Sequence, residues 1–259
     1  MIAEAERRAF FDRSRFLGDP DFISNPVSYL TSKLYADSLR RTILSDRATP
    51  SSDLGDSGVE LIEHRNTTHF SIIDCEGNAV AVTITLNSSF GSKVLVRNAG
   101  FLLNNEMDDF SIKPGVPNIY GLVGNEANAI EPEKRMLSSM CPTFVFKGDS
   151  LFLILGSPGG SRIITTVAQI IINIVDYGMS LMEAISTKRF HHQWLPDKIF
   201  YEGGAIDEGV KMKLSSSGYL LKEVEGYIGE VNAIEVSNTS VVGVADPRGI
   251  GKVVKSGCN

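Results

Sequence analysis

Cysteine is scarce in this chain, and so are the patterns that mark a stapled, metal-built or nucleotide-binding protein. The 259 residues hold three cysteines, Cys75, Cys141 and Cys258, too few and too scattered for a disulfide framework or a paired-cysteine metal site. The four histidines include the adjacent pair His191-His192. There is no HExxH pattern and no carboxylate cluster at metal spacing, so neither a metal nor a cofactor is expected. No excess of basic charge exists either: the net charge is −6 and no basic stripe is present, which argues against a nucleic-acid surface. No apolar run reaches the length of a membrane span; the longest, Ile163 to Val175, is broken by Thr165, Thr166, Gln169 and Asn173. The start, Met1-Ile2-Ala3-Glu4-Ala5-Glu6, reads as a charged amphipathic helix rather than a signal peptide, so no export signal is expected in this chain. GxGxxG and GxSxG are both missing, and nothing repeats with a fixed period.

What is present suits one or two soluble domains with a sizeable core: 42% of residues are hydrophobic and 22% charged. Residues 1 to 17 read as a helix with Ala3, Ala9, Phe10 and Phe16 available for one face, stopped by Gly18-Asp19-Pro20-Asp21. Asn25 as N-cap and Pro26 at the first helical position open a second helix that is expected to run to about Leu44. From Ser45 to Gly58 the composition turns to Ser, Asp, Pro and Gly, which makes a linker and the one clear internal boundary. Strands are expected at Thr68–Asp74, Ala79–Asn87, Thr143–Lys147 and Leu151–Gly156. A helix apolar almost all round follows over Ser161–Val175, then a shorter one from Ser180 to about Thr187. Ala233–Val236 and Val241–Ala245 alternate as two last strands. Strands, then helices, then strands give a mixed, layered α+β architecture.

The stretch Asn66-Thr67-Thr68-His69-Phe70-Ser71-Ile72-Ile73-Asp74 stands at the linker's end and leads a hairpin through the turn Gly77-Asn78. Read alone, Thr67 is the first residue of a strand, which threonine favours. Its other use is chemical. If the Asn66–Thr67 bond is cut, Thr67 becomes a terminus with a hydroxyl nucleophile and an α-amine to serve as its base. An accessible linker followed by a fixed strand is what such processing needs.

Five further clusters could join it. In the hairpin, Thr85 could lie across from Thr67, with Asn87 aimed into the same place. Asn104-Asn105-Glu106-Met107-Asp108-Asp109 is either a solvated acidic loop or, in a pocket, a binder of a substrate ammonium. The Pro- and Gly-rich run Lys113 to Gly121, containing Tyr120, is too irregular for helix or strand and suits a lid. Ser138-Ser139 reads equally as an N-cap region or as site residues. Gly156-Ser157-Pro158-Gly159-Gly160-Ser161-Arg162 joins a strand to a helix, where glycines admit a ligand and helix N–H groups suit an anion. Phe190-His191-His192-Gln193-Trp194-Leu195-Pro196 reads as a packed loop rather than a catalytic one.

These pieces in this order resemble the γ-glutamyltranspeptidases, a family of N-terminal nucleophile hydrolases, over essentially the whole chain. Residues 67–259 resemble a complete small subunit; residues 1–66 resemble the helical tail and linker of a large one. The resemblance implies a four-layer αββα sandwich, partial here because most of the large subunit is absent. It implies Thr67 as nucleophile in both self-cleavage and catalysis, Thr85 as its hydrogen-bonding support, and Gly159 and Gly160 as the oxyanion hole. Asn87, Glu106 and Asp109 would hold the substrate's α-amino end, Ser138 and Ser139 its α-carboxylate, and Tyr120 would sit on the lid. Glutathione and related γ-glutamyl amides are the implied donors and amino acids or dipeptides the acceptors. The large subunit is the implied partner, and the periplasm or the outside of the cell the implied location. The chain departs from the family in having Asn66 where glutamine is familiar, and in lacking the large-subunit arginine used on the α-carboxylate. A degenerate, non-catalytic binding module and a poly-γ-glutamate-processing relative are the rival readings. The intact Thr67, Thr85 and glycines weigh against the first, and a binding set suited to a single glutamyl end against the second.

Overall fold

The computed structural model describes residues 1–55 and 67–257. Its helices are α1 (Ile2–Phe16), α2 (Val27–Leu30), α3 (Lys33–Arg41), α4 (Arg162–Val175), α5 (Leu181–Ser186) and α6 (Glu208–Ser216). Its strands are β1 (Thr67–Ile73), β2 (Ala79–Thr85), β3 (Leu95–Val96), β4 (Phe101–Leu102), β5 (Thr143–Lys147), β6 (Ser150–Gly156), β7 (Phe190–His191), β8 (Ile199–Tyr201), β9 (Leu221–Glu223), β10 (Asn232–Val236) and β11 (Val241–Ala245). The chain forms two compact units that interleave in sequence: Met1–Glu63 with Asn105–Ser138 and Phe190–Val224, and His64–Asn104 with Ser139–Arg189 and Glu225–Asn259.

In the first unit, α1 has Glu4 in its first turn and Arg13 and Arg15 in its last, as the helix dipole favours. Its inner face is less apolar than expected. Ala3 and Phe10 are buried, but Ala9 is exposed, and Glu4, Glu6, Arg7, Arg8 and Asp12 are buried beside them. Buried charge must be partnered. Arg7 donates to Ser51 and pairs with Asp197, Arg8 donates to the Thr42 carbonyl at 3.0 Å, and Glu6 accepts from the His192 N–H at 2.9 Å. Burial raises the Glu6 carboxyl well above its usual range. Phe11 stacks edge-on against Trp194 with ring centres 5.0 Å apart. Strands β7, β8 and β9 form a small sheet, antiparallel and then parallel. His191 and His192 lie fully buried, His191 bonding Gln193 at 2.8 Å, so this stretch packs as read.

The expected second helix is broken into α2 and α3. Ser32 interrupts it, taking extended backbone and accepting the Tyr35 N–H on its hydroxyl at 3.2 Å, which makes a fresh N-cap. Asn25 is not a cap; its amide clasps the Gly18 backbone at 3.1 and 2.9 Å.

The second unit is layered. Strands β1 and β2 form a hairpin whose register sets Thr67 opposite Thr85. Asp74 closes the turn by accepting the Asn78 N–H at 2.8 Å. The hairpin packs on the antiparallel sheet β11-β10-β6-β5, and α4 and α5 pack on that sheet through β6 and β11. Leu153, Leu155, Ile163, Val167, Ile170, Ile185 and Val231 fill the core. Helix α4 buries one face only; Val175 is exposed. Where hairpin meets sheet, His69 lies flat over Gly156, and a Cβ there would come within 2.3 Å of its ring. Burial lowers the His69 pKa to about 4, so its ring is neutral as it bonds Thr83 at 2.8 Å. The hairpin's other face leaves Phe70, Ile72, Val80 and Ile84 exposed.

Cys75 is disulfide-bonded, while Cys141 is a free, half-buried thiol.

Candidate active site

At the head of β1, the Thr67 hydroxyl donates to the Thr85 hydroxyl oxygen at 3.1 Å. The pairing follows from the hairpin register, which puts the two residues directly opposite. Thr85 Oγ1 also accepts the Asn87 N–H at 2.9 Å. Asn87 is buried and has φ of 72°, a left-handed conformation that asparagine tolerates better than most residues. Thus the strand end turns sharply to bring the Asn87 backbone beside the threonine pair. The bond before Thr67 lies outside the described residues.

In the same unit, Gly159 (φ 136°) and Gly160 (φ 56°) lie in the turn from β6 into α4. Their carbonyls accept the first helical N–H groups, Arg162 and Ile163, each at 3.1 Å. The turn is braced from below. Ser157 Oγ accepts the Glu230 N–H at 2.8 Å, and Gly229 Cα lies 3.5 Å from where a Gly159 Cβ would stand. Arg189, bonded at 2.7 Å to the buried Asp246, donates to the Ile228 carbonyl at 2.8 Å. Ser157 and Gly229 were not singled out from the sequence as supports, because only the fold shows that the 228–231 loop runs under this turn.

The first unit holds the acidic cluster. Glu106 and Asp109 open and close a 3-10 turn. Asp109 lines a small pocket with Arg13, Ser111, Asn128 and Leu137. Burial pushes its pKa up to about 7; the Arg13 guanidinium opposes that, while Glu106 and Asp108 add to it. Burial raises Glu106 as well and lowers Arg13 to about 10. Ser111 Oγ in this pocket is buried without a hydrogen-bond partner. The Pro- and Gly-rich run folds back on itself, Gly115 N–H to the Gly124 carbonyl at 2.9 Å and Asn118 N–H to Leu122 at 3.0 Å. Tyr120 is buried within it, and its carbonyl accepts from Gln193 at 2.9 Å. Ser138 follows Leu137 at the edge of the same unit, and Ser139 begins the next segment of the other; both are half-buried. Arg13 and Asn128 carry no sequence signal of a site, since their partners are brought to them by irregular loops. Among the described residues no group of three metal-ligating side chains occurs, and no helix is long and apolar enough to cross a membrane.

The structure thus groups Thr67, Thr85 and Asn87 in one unit, with the glycine turn in that same unit, and groups Glu106, Asp109, Tyr120 and Ser138 in the other. A hairpin laid on a sheet, with helices behind that sheet and a threonine at the hairpin's head, is the N-terminal nucleophile hydrolase sandwich in part. The same fold is seen in the cephalosporin acylase of Bacillus halodurans, at 24% identity and a TM-score of 0.80 over 98% of this chain and 44% of that one. The sequence model of the γ-glutamyltranspeptidase family matches residues 1–256. The glutathione hydrolase proenzyme of Escherichia coli is 48% identical over 251 residues, 96% of this chain and 43% of that protein. An acivicin-inhibited γ-glutamyltranspeptidase structure shares 54% identity with a TM-score of 0.68, over 71% of this chain and all of that one. The chain belongs to the γ-glutamyltranspeptidase family, and it spans less than half the length of the curated E. coli relative.

Proposed function

We propose that this chain is the C-terminal part of an enzyme that hydrolyses glutathione and related γ-glutamyl amides, and transfers their γ-glutamyl group, through an ester on Thr67. The observation that carries the reading is the Thr67–Thr85 hydroxyl pair at 3.1 Å, at the head of the hairpin. In that bond Thr85 accepts from Thr67, so it holds the hydroxyl in one rotamer; the β-methyl of threonine narrows the choice further.

In the precursor, Thr67 Oγ attacks the Asn66 carbonyl carbon. The C–N bond breaks, the acyl group moves to oxygen, and the nitrogen becomes the free α-amine of Thr67. Water then cleaves the ester, leaving a carboxylate on Asn66. In the mature enzyme the same oxygen attacks the γ-carbonyl of the donor. The α-amine takes the hydroxyl proton, and its ordinary pKa of about 7.7–8.0 suits a base near neutrality. It returns the proton to the departing amine. The Gly159 and Gly160 N–H groups stabilise the oxyanion; losing one such donor typically costs about 100–1,000-fold in rate. Water, or the amine of an acceptor amino acid or dipeptide, resolves the ester. Asn87, Glu106 and Asp109 take the donor's α-ammonium, Ser138 and Ser139 its α-carboxylate, and Tyr120 belongs to the covering lid. Self-cleavage is supported by the autoprocessing named for the acivicin-inhibited relative, and an extracytoplasmic location by the Cys75 disulfide.

Intact-mass measurement of a precursor containing this chain tests the assignment. Two pieces that meet at Asn66 and Thr67 are expected from the natural sequence, and one uncut chain from Thr67→Ala. A Thr67→Ala protein that still splits there removes Thr67 as the nucleophile.

A further inference from the structure

Two chain segments are given the two charged ends of the donor in the reading above: the acidic turn Glu106–Asp109 and the segment Leu137–Ser138. One side chain joins them. Asn128 is 5% exposed and ends the short 3-10 turn Glu126–Asn128. Its Nδ2 donates to the Asp109 carbonyl at 2.7 Å, and its Oδ1 accepts the Leu137 N–H at 3.0 Å. Its backbone carbonyl accepts the Ser111 N–H at 2.9 Å. The amide cannot be turned round, because the Asp109 carbonyl only accepts and the Leu137 N–H only donates. The Leu137 carbonyl in turn accepts from Arg13 at 3.4 Å. The Leu137 residue is therefore held at both its backbone N–H and its C=O, immediately before Ser138.

We propose that Asn128 is a positioning residue that sets the spacing between the ammonium-reading and carboxylate-reading segments, and so confers preference for a donor whose end carries both charges. This rests on the substrate assignments of the proposed function. An α-amino acid end carries its ammonium and carboxylate on a single carbon, so their separation is fixed. Two loops that read them must keep a matching separation, and a misplacement of about 1 Å can cost on the order of 100-fold in rate. A primary amide carries a donor and an acceptor on one rigid group, as this clamp requires. Aspartate supplies two acceptors, and alanine neither.

The test compares Asn128→Asp and Asn128→Ala with the natural sequence, each in this chain joined to a complete upstream large-subunit segment. Three anilides are assayed: γ-glutamyl, glutaryl (no ammonium) and 4-aminobutyryl (no carboxylate). The natural sequence should prefer the γ-glutamyl anilide over both. Both variants should raise its KM by about 10–100-fold with kcat little changed, and the preference over each analogue should shrink by a similar factor. A role confined to stability would lower Tm and the yield of active enzyme but leave the preference intact; an intact preference overturns the proposal. Should Asn128→Ala not fold, Asn128→Asp carries the test, since it keeps the shape and the acceptor for Leu137. Failure of both to fold makes Asn128 a folding residue and overturns it too. Asp109→Asn, run alongside, separates the two levels. If it leaves KM unchanged, the substrate assignment fails. If it raises KM while the Asn128 variants keep their preference, the Asn128 role alone fails.

Discussion

The role proposed for Asp109, reading the donor's ammonium, has consequences for the unliganded protein as well. Burial first, then Glu106 and Asp108, lift its pKa to about 7, with Arg13 only partly compensating. An acid whose folded pKa lies above its unfolded one binds its proton more tightly in the folded state. Its contribution to stability is therefore fully present below the ordinary value of 3.8 and is lost as pH rises towards about 7. Asp109→Asn should remove that loss, so the variant's Tm should match or exceed the natural protein's at pH 7 to 8, and the difference should shrink towards pH 4. Its KM for a γ-glutamyl anilide should rise strongly. On the proposed substrate assignment an ammonium meets the ionised carboxylate, so the KM of the natural sequence should climb as pH falls below about 7. Thermal unfolding and KM across pH check both halves. A variant that loses Tm at neutral pH, with KM unaltered, would make Asp109 a structural residue.

At the scale of elements, the contact of hairpin with sheet leaves no room for a side chain at Gly156. Gly156 has His69 ring atoms at 2.3, 2.4 and 2.8 Å from the place of a Cβ, and His69 is 3% exposed and fixed by Thr83 and Ser71. Gly156→Ala should destabilise by about 3 kcal/mol, the upper end for an overpacked core. A second change, His69→Ser, should recover part of that loss, because the two effects are coupled through contact. Denaturant unfolding of the four proteins in the cycle measures it, and strictly additive losses would refute the contact. This hairpin was also the most legible part of the sequence. Period-2 alternation marks two strands on either side of the turn, and the register set by the Asp74–Asn78 connection places Thr67 opposite Thr85. The breaks in legibility have local causes. Ser32 resembles any helical serine until its hydroxyl is seen capping Tyr35. Strands β7 to β9 span two or three residues each, too short for an alternation to show. The Asn128 clamp joins residues through loops with no period at all, so its chemistry is visible only once the loops are folded.

For the whole molecule, the layers present decide what the chain can do alone. Among the described residues the β1–β2 sheet has two strands. Its inner face meets β6 and β10, but its outer face exposes Phe70 at 44%, Ile72 at 52%, Val80 at 48% and Ile84 at 59%. A sheet with one apolar face uncovered is a site of association, and the E. coli relative extends over more than twice the length matched here. Thr67, the proposed nucleophile, rides on this hairpin, so looseness in it would spoil the proposed attack both at the Asn66 carbonyl and at a donor. The α-carboxylate would also lack an arginine partner of the kind the family resemblance implies, and such pairs are among the stronger charge-assisted contacts. Expressed alone, the chain should therefore associate at micromolar concentration and show little or no γ-glutamyl-anilide turnover. The same chain joined upstream to a complete large-subunit segment should elute as a defined species and turn the substrate over. Replacing Phe70 and Ile72 with threonine should improve the solubility of the isolated chain without restoring activity. Size-exclusion chromatography and the anilide assay on the three proteins decide the matter, and equal turnover by the isolated and the extended chain would show that the uncovered layer is dispensable.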